Sequence, residues 1–310
     1  MVRLGYACIN LSSEFSTNRS MKKATFLAKG ITYVSELALK NAQGLLDIVK
    51  WNNNNGLQVY RMSSSLFPWM SEYELCELPD YIEISKILSE VGKTAKLKNQ
   101  RLGFHPGHFN QLGSINPNVV IKTVKELNQH SEIMDLVGLP HSYMSKINIH
   151  IGNATGGKIL ATERFCENFS KLNASTKARL VIENDDKASL YTVQELYDLV
   201  HLKIRTPITF DYLHHYCNPG LLSEEDALKL ATSTWNGDKP CTHYSSSKKL
   251  HEDSSSKLLA HADYIYDEIN YYGVEMDIVC ECKAKELAVI KYTKDYITKD
   301  VSETPELVLS

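Results

Sequence analysis

The stretch Arg179-Leu-Val-Ile-Glu-Asn-Asp-Asp186 reads as a short buried strand that delivers a carboxylate, Glu183, into a cluster of acids at its C-terminal end. Burying a carboxylate there is costly unless something positive meets it. Divalent metal ions are the partner that this pattern suggests.

Outward from this strand the chain alternates strand and helix in both directions. Towards the N-terminus the pattern predicts strands over Arg3–Ile9, Leu57–Met62, Arg101–His105 and Lys146–Ile151. They are followed by helices over Ile31–Trp51, Tyr81–Lys98, Pro117–Leu136 and Leu160–Leu172. The opening strand itself leads to a helix over Thr192–Leu202, and strand Pro207–Asp211 to helix Glu224–Thr232. Strand Lys239–His243 precedes a Ser- and Lys-rich loop and a helix near His261–Tyr271, and strand Val274–Glu281 is closed by helix Ala284–Tyr296. Eight βα units with no linker or composition break between them predict one α/β domain over residues 1–300, a (β/α)8 TIM barrel, with residues 301–310 as a frayed tail. No Gly-x-Gly-x-x-Gly follows the first strand, so a nucleotide-binding open sheet has no support.

Of the 310 residues, 43% are apolar, ample for one core, and the net charge of −3 argues against a general basic coat for nucleic acid. It does not exclude a local positive site made by bound metal ions. Seven cysteines without framework spacing suit a reducing, intracellular setting. No apolar run approaches the roughly 18 residues of a membrane helix, so no membrane partner is expected. Nothing demands more than a monomer.

The positions of His and acidic residues carry the chemistry. His105, His150, Glu183, Asp211, His243 and Glu281 end strands three to eight, and strand C-termini open on one face of such a barrel. Six ligand-type side chains would therefore converge in one bowl, joined by His214 and His261 from the loops that follow. Mixed imidazole and carboxylate donors suit Zn²⁺, Mn²⁺ or Fe²⁺. At roughly four protein ligands per ion, the set implies two or three divalent ions bridged by carboxylates such as Glu183. Such pairs cleave phosphodiesters by activating water and holding the leaving oxygen. In Cys280-Glu-Cys282, alternation points both sulfurs away from Glu281, towards the helices.

Several ordered strings then carry a family resemblance. Leu4-Gly-Tyr-Ala7, Tyr60-Arg-Met-Ser-Ser64, His105-Pro-Gly-His-Phe109, Ile182-Glu-Asn-Asp-Asp-Lys187, Asp211-Tyr-Leu-His-His215, His243-Tyr-Ser-Ser246, His261-Ala-Asp-Tyr-Ile265 and Glu281-Cys-Lys-Ala-Lys-Glu286 together resemble the UV damage endonucleases. The wider superfamily also holds endonuclease IV-type abasic-site nucleases and xylose isomerase. The resemblance implies a DNA repair enzyme that cuts double-stranded DNA immediately 5′ to a pyrimidine dimer, leaving a 3′-hydroxyl, with Mn²⁺ as the usual metal (Zn²⁺ or Mg²⁺ being the alternatives). It implies metal ligation by His105, His150, Glu183, Asp211, His214, His243, His261 and Glu281, with Glu183, Asp211, His243 and Glu281 catalytic. Tyr6 and Asn10 would lie against the DNA. His108 and Phe109 fall where the family places a pair that wedges into the duplex. Lys158 is read as a possible phosphate contact, and Arg61 as a counter-charge to the acids of the bowl.

Two positions depart from the family pattern. Cys241 stands where a lysine often precedes the strand-seven His by two residues. Trp69-Met-Ser-Glu72 stands where a His is usual, leaving Glu72 as a substitute ligand. An abasic-site nuclease, or a lesion-binding protein with weakened catalysis, are the alternative readings.

Overall fold

A computed structural model describes residues 2–297; the tail expected over 301–310 lies outside them. Eight parallel strands form one sheet in the order β6-β5-β4-β3-β2-β1-β8-β7. They are β1 (Arg3–Ala7), β2 (Val59–Met62), β3 (Arg101–Phe104), β4 (Ile147–Ile149), β5 (Leu180–Glu183), β6 (Ile208–Thr209), β7 (Cys241–Tyr244) and β8 (Asp277–Cys280). Register is tight at its centre: a Cβ on Gly5 of β1 would lie 1.8 Å from the carbonyl oxygen of Val59, so only glycine fits against β2.

The helices alternate with the strands as the apolar spacing requires. They are α1 (Lys23–Asn54), α2 (Tyr81–Leu97), α3 (Pro117–Val137), α4 (Lys158–Phe169), α5 (Ala174–Lys177), α6 (Val193–Leu196), α7 (Leu202–Ile204), α8 (Tyr212–Cys217), α9 (Glu224–Ser233), α10 (Lys248–His251) and α11 (Glu286–Tyr292). Gly30, at φ 63°, breaks the regular turn just where the apolar periodicity of α1 begins. None of these helices is long and apolar enough to cross a membrane.

Two apolar layers result. A small cluster of Ala7, Val59, Val181, Trp235, Cys241 and Val279 fills the barrel, while a much larger one packs the strands against the helices. Cys280 and Cys282 belong to the outer layer.

The seam between β6 and β7 has no regular ladder. Thr234 Oγ1 accepts the Ile208 amide at 2.8 Å, and Trp235 Nε1 donates to the Ile208 carbonyl at 2.8 Å. At the C-terminal end a single parallel bridge, Asp211 with His243, closes the ring. Two of the expected ligands therefore also close the barrel.

The base of the barrel is held by buried charge. Asp277, the first residue of β8, accepts from Arg3 at 2.6 and 2.8 Å, from Arg101 at 3.2 Å, and lies 2.7 Å from Lys239 Nζ. Arg179, which opens β5, is fully buried; its guanidinium meets Asp135 at 2.6 Å and the Leu139 carbonyl at 2.7 Å, tying β5 to the end of α3. The stretch Arg179–Asp186 is thus charged at both ends, for stability below and for chemistry above.

The helix expected near His261–Tyr271 does not form. The backbone donors of this stretch are taken by the preceding segment: Ala262 N donates to Ser246 O at 2.9 Å, Asp263 N to Glu252 at 2.6 Å and Tyr266 N to Ser246 Oγ at 3.1 Å. A helix would have to give these up. The expected loop after β7 instead contains the short α10.

Candidate metal centre

Strands β2 to β8 each bring one side chain to the bowl, Arg61, His105, His150, Glu183, Asp211, His243 and Glu281, because β-strand alternation puts an inward residue at the rim. Glu183, 1% exposed, is its centre: its carboxylate lies 3.1 Å from His105 Nε2, 3.7 Å from His150 Nε2, 3.3 Å from His214 Nδ1 and 3.1 Å from His243 Nδ1. Glu281 lies 3.3 Å from His243 Nδ1 and 3.8 Å from His261 Nδ1. Arg61 is ion-paired with Glu281, in the counter-charge position read for it.

Three overlapping triads could hold a metal ion: His105 with His243 and Glu281, His105 with His150 and Glu183, and Glu183 with Asp211 and His243. In each, the donor atoms lie within 4.8 Å of one another. Glu183 Oε1, Asp211 Oδ2 and His243 Nδ1 are buried without a well-formed hydrogen bond, which is costly in a protein interior unless another group satisfies them. Donor chemistry and orphaned atoms together fit divalent ions. His214 and His261 lie beside these triads, within 4 Å of Glu183 and Glu281 respectively.

The electrostatics of the metal-free bowl are opposed. Burial raises the Glu183 carboxyl, but the facing His243 and His150 outweigh it and hold the group well below its ordinary range. Burial pushes Asp211 up to about 7, with Glu183 and Glu281 adding to the rise. Burial also takes His243 down to about 3, although Glu183 pulls the other way. His150, against burial, is lifted to about 9 by Glu183 and Asp185.

The signs of these shifts set how stability depends on pH. Asp211 and His150 both carry folded-state values above the unfolded ones of about 3.9 and 6.5, so each stabilises the metal-free fold at low pH and loses that contribution as pH rises through its folded value. Between about pH 4 and pH 6.5 the loss from Asp211 is opposed by His243, whose lowered value gains stability as pH rises, so thermal unfolding in chelator should show the midpoint falling mainly between about pH 6.5 and pH 9, where His150 loses its proton. A divalent ion, which needs deprotonated ligands, should bind more tightly over the same interval.

With this geometry in view, relatives can be placed. Residues 2–307 match the model of the family described as UV-endonuclease UvdE. The chain belongs to that family. It is 33% identical to the UV-damage endonuclease of Schizosaccharomyces pombe over 309 residues, which cover 95% of this chain and 50% of that protein. The chain thus spans half the length of that relative. Among solved structures, that of SacUVDE matches at a TM-score of 0.84 with 29% identity, over 98% of this chain and 100% of that one. Endonuclease IV from Thermus thermophilus matches at 0.59 with 13% identity, over 96% and 99%, a likeness of fold alone.

Outside the bowl the expected contacts of this UvdE-family chain divide. His108 and Phe109 stand exposed on the loop after β3, Phe109 at 60%, with Asn110 anchoring the turn to Glu126 at 2.8 Å. Tyr6 does not reach the surface: it is fully buried, its hydroxyl donating to Asn52 at 2.7 Å and accepting from Asn10 at 2.9 Å. Asn10 is itself buried, with its Oδ1 left without a hydrogen bond. In this structure the two side chains bridge β1 and α1 through Asn52. The Lys158 ammonium pairs with Glu195 at 2.7 and 2.9 Å, a partner that a phosphate would have to share. Glu72 is paired with Lys122 at 2.6 Å, and among the described residues it joins none of the three triads.

Three residues of the site escaped the sequence reading. Asp185 Oδ1 lies 3.1 Å from His150 Nδ1, leaving Nε2 to face Glu183. Asn148 donates to Glu183, and Lys146 reaches His243. Alternation in Lys146-Ile-Asn-Ile-His150 was the available signal, since it puts all three polar side chains on the face of the strand that carries His150.

Proposed function

We propose that the chain is a metal-dependent endonuclease of UV-damaged double-stranded DNA, cutting immediately 5′ to a pyrimidine dimer and leaving a 3′-hydroxyl. The observation that carries this reading is the convergence of His105, His150, Glu183, Asp211, His243 and Glu281 with orphaned donor atoms, in a member of the UvdE family. Two or three ions, with Mn²⁺ the preferred occupant, would be held by these residues together with His214 and His261. Bound there, divalent ions supply Lewis-acid polarisation of the scissile phosphate and an activated water.

The chain's own part is positional. Glu183 lies between the histidines of β3, β4 and β7, so its two oxygens can be shared by neighbouring ions. Asp211 turns one oxygen to the His214 amide at 2.8 Å and leaves the other towards the bowl. Arg61 fixes Glu281 and offsets the negative charge that an approaching phosphate would meet. No Ser-His-Asp arrangement is involved; the nucleophile is water.

Phe109 and His108 are the elements that read the lesion. A damaged step is cheaper to unstack, and a stacked aromatic recovers ~1–3 kcal/mol per base. Phe109→Ala should therefore weaken binding to a dimer-bearing duplex by roughly 5- to 150-fold, measured by fluorescence anisotropy, while Mn²⁺ affinity stays unchanged. Equal binding by the two proteins would remove Phe109 from recognition.

The test of the whole reading compares three otherwise identical duplexes, one carrying a cyclobutane dimer, one an abasic site and one undamaged. Nicking of the dimer duplex in Mn²⁺, abolished by chelator and yielding a 3′ end that a polymerase extends, is the expected result. Preference for the abasic duplex would defeat it.

A further inference from the structure

His108 and Phe109 occupy the two central positions of a four-residue turn, Gly107–Asn110, closed by the Asn110 amide donating to the Gly107 carbonyl at 3.0 Å. The Asn110 side chain repeats that bond, its Nδ2 donating to the same carbonyl at 3.2 Å. Phe109 leans back on the start of the turn: a Cβ on Gly107 would lie 2.4 Å from its Cε1 and 3.0 Å from its Cδ1 and Cζ. Only a bare Cα leaves room for the ring there.

The turn is tied down from behind by α3. Asn110 Nδ2 donates to Glu126 Oε1 at 2.8 Å, and the Gln111 amide donates to Thr123 Oγ1 at 3.0 Å. Thr123 and Glu126 are three residues apart, hence neighbours on one side of the helix, and both are buried. A second tie reaches the tip: Gln111 Nε2 donates to the His108 carbonyl at 3.3 Å, while its Oε1 accepts from Asn153, on the loop after β4, at 3.3 Å. Glu126 is the member that its surroundings do not explain. Among the described residues no cation forms an ion pair with it, and a buried carboxyl without one is costly. Burial raises this carboxyl above its ordinary value, the Asn110 bond working the other way. Either protonation state offers Asn110 an oxygen, so the tether needs an acceptor rather than a charge.

A loop already held in its bound shape loses less freedom when it meets a partner. We propose that Glu126 is a positioning residue for lesion recognition: through Asn110 it fixes the turn that presents Phe109 and His108 to the duplex. The inference rests on the reading of Phe109 as the side chain that meets the lesion.

Fluorescence anisotropy on the Mn²⁺-loaded full chain tests it, with an undamaged duplex and a dimer-bearing one whose linkage 5′ to the dimer is non-hydrolysable. Glu126→Leu, which keeps a good helix former at a buried position, should bind the dimer-bearing duplex about 3- to 10-fold more weakly, the scale of one net hydrogen bond. Its Mn²⁺ affinity and its binding of the undamaged duplex should not change. Glu126→Gln, which keeps the acceptor, should bind as wild type does. The decisive arm is a double-mutant cycle: in a Phe109→Ala background, Glu126→Leu should cost little more, because the ring that the turn presents is gone. A merely structural role would weaken both duplexes and would add to Phe109→Ala. Equal losses on both duplexes, full additivity with Phe109→Ala, a Gln variant as weak as the Leu variant, or wild-type binding by Glu126→Leu each overturn the proposal. Should Glu126→Leu not fold, Asn110→Ala cuts the same tether from the loop side and carries the same outcomes. If Phe109→Ala binds the dimer-bearing duplex as tightly as wild type, the reading of Phe109 falls and this inference with it; a loss in Phe109→Ala with none in Glu126→Leu defeats the inference alone.

Discussion

Glu183→Gln will reduce Mn²⁺-dependent incision of a dimer-bearing duplex by about 10³-fold or more, the rate equivalent of several kcal/mol of lost Lewis-acid stabilisation. The substitution keeps the shape of the side chain and removes the charge that four imidazoles face. Binding of the damaged duplex should persist, since His108 and Phe109 stand on a separate loop anchored through Asn110. Single-turnover incision and duplex binding, measured on the same preparation, separate the two. Activity within tenfold of wild type would mean that the reaction centre lies elsewhere. Retained binding with lost cutting would also rule out a lesion-binding protein without catalysis, because the wild type must cut for the difference to appear.

Asp277→Asn is expected to have the largest effect on stability. The carboxylate is fully buried, and its removal takes away the charge that Arg3 and the buried Arg101 share at the base of the barrel. Breaking a buried pair from one side costs about 3–5 kcal/mol, which for a chain of this size lowers the thermal midpoint by roughly 5–8 °C. Burial alone would raise the Asp277 carboxyl, but the hydrogen bond from Arg3 and the charge of Arg101 bring it below its ordinary value. The stabilisation is therefore present above the unfolded-state value near 3.9 and is lost as pH falls through the lower folded value. Wild type and variant should converge in stability in strong acid. Incision at low temperature should be unaffected, because the base and the bowl are opposite ends of the strands.

The barrel was legible because its signal is periodic and repeated. Apolar strands alternate with helical spacing along the chain, and each strand from the third onward has a His or an acid within two residues of its C-terminal end, where the fold has a rim. The segment after β7 was misread because its backbone donors go to Ser246 and Glu252, a tertiary arrangement that local periodicity does not encode. The inward turn of Tyr6 and Asn10 was not legible for a related reason. A position at the end of a strand fixes the height of a side chain in the barrel, whereas its direction depends on neighbours such as Asn52 on α1.

By itself, then, the sequence determined the strand order of the chemistry: which residues end strands three to eight, and that their mixed imidazole and carboxylate donors suit divalent ions. Only the tertiary structure decided which atoms meet. It placed Asp185 behind His150, brought Lys146 across the barrel to His243, and tied Lys158 and Glu72 to Glu195 and Lys122, away from the bowl. Hydrogen bonds and ion pairs form over a few ångströms between residues dozens of positions apart, and closure of the barrel sets those distances.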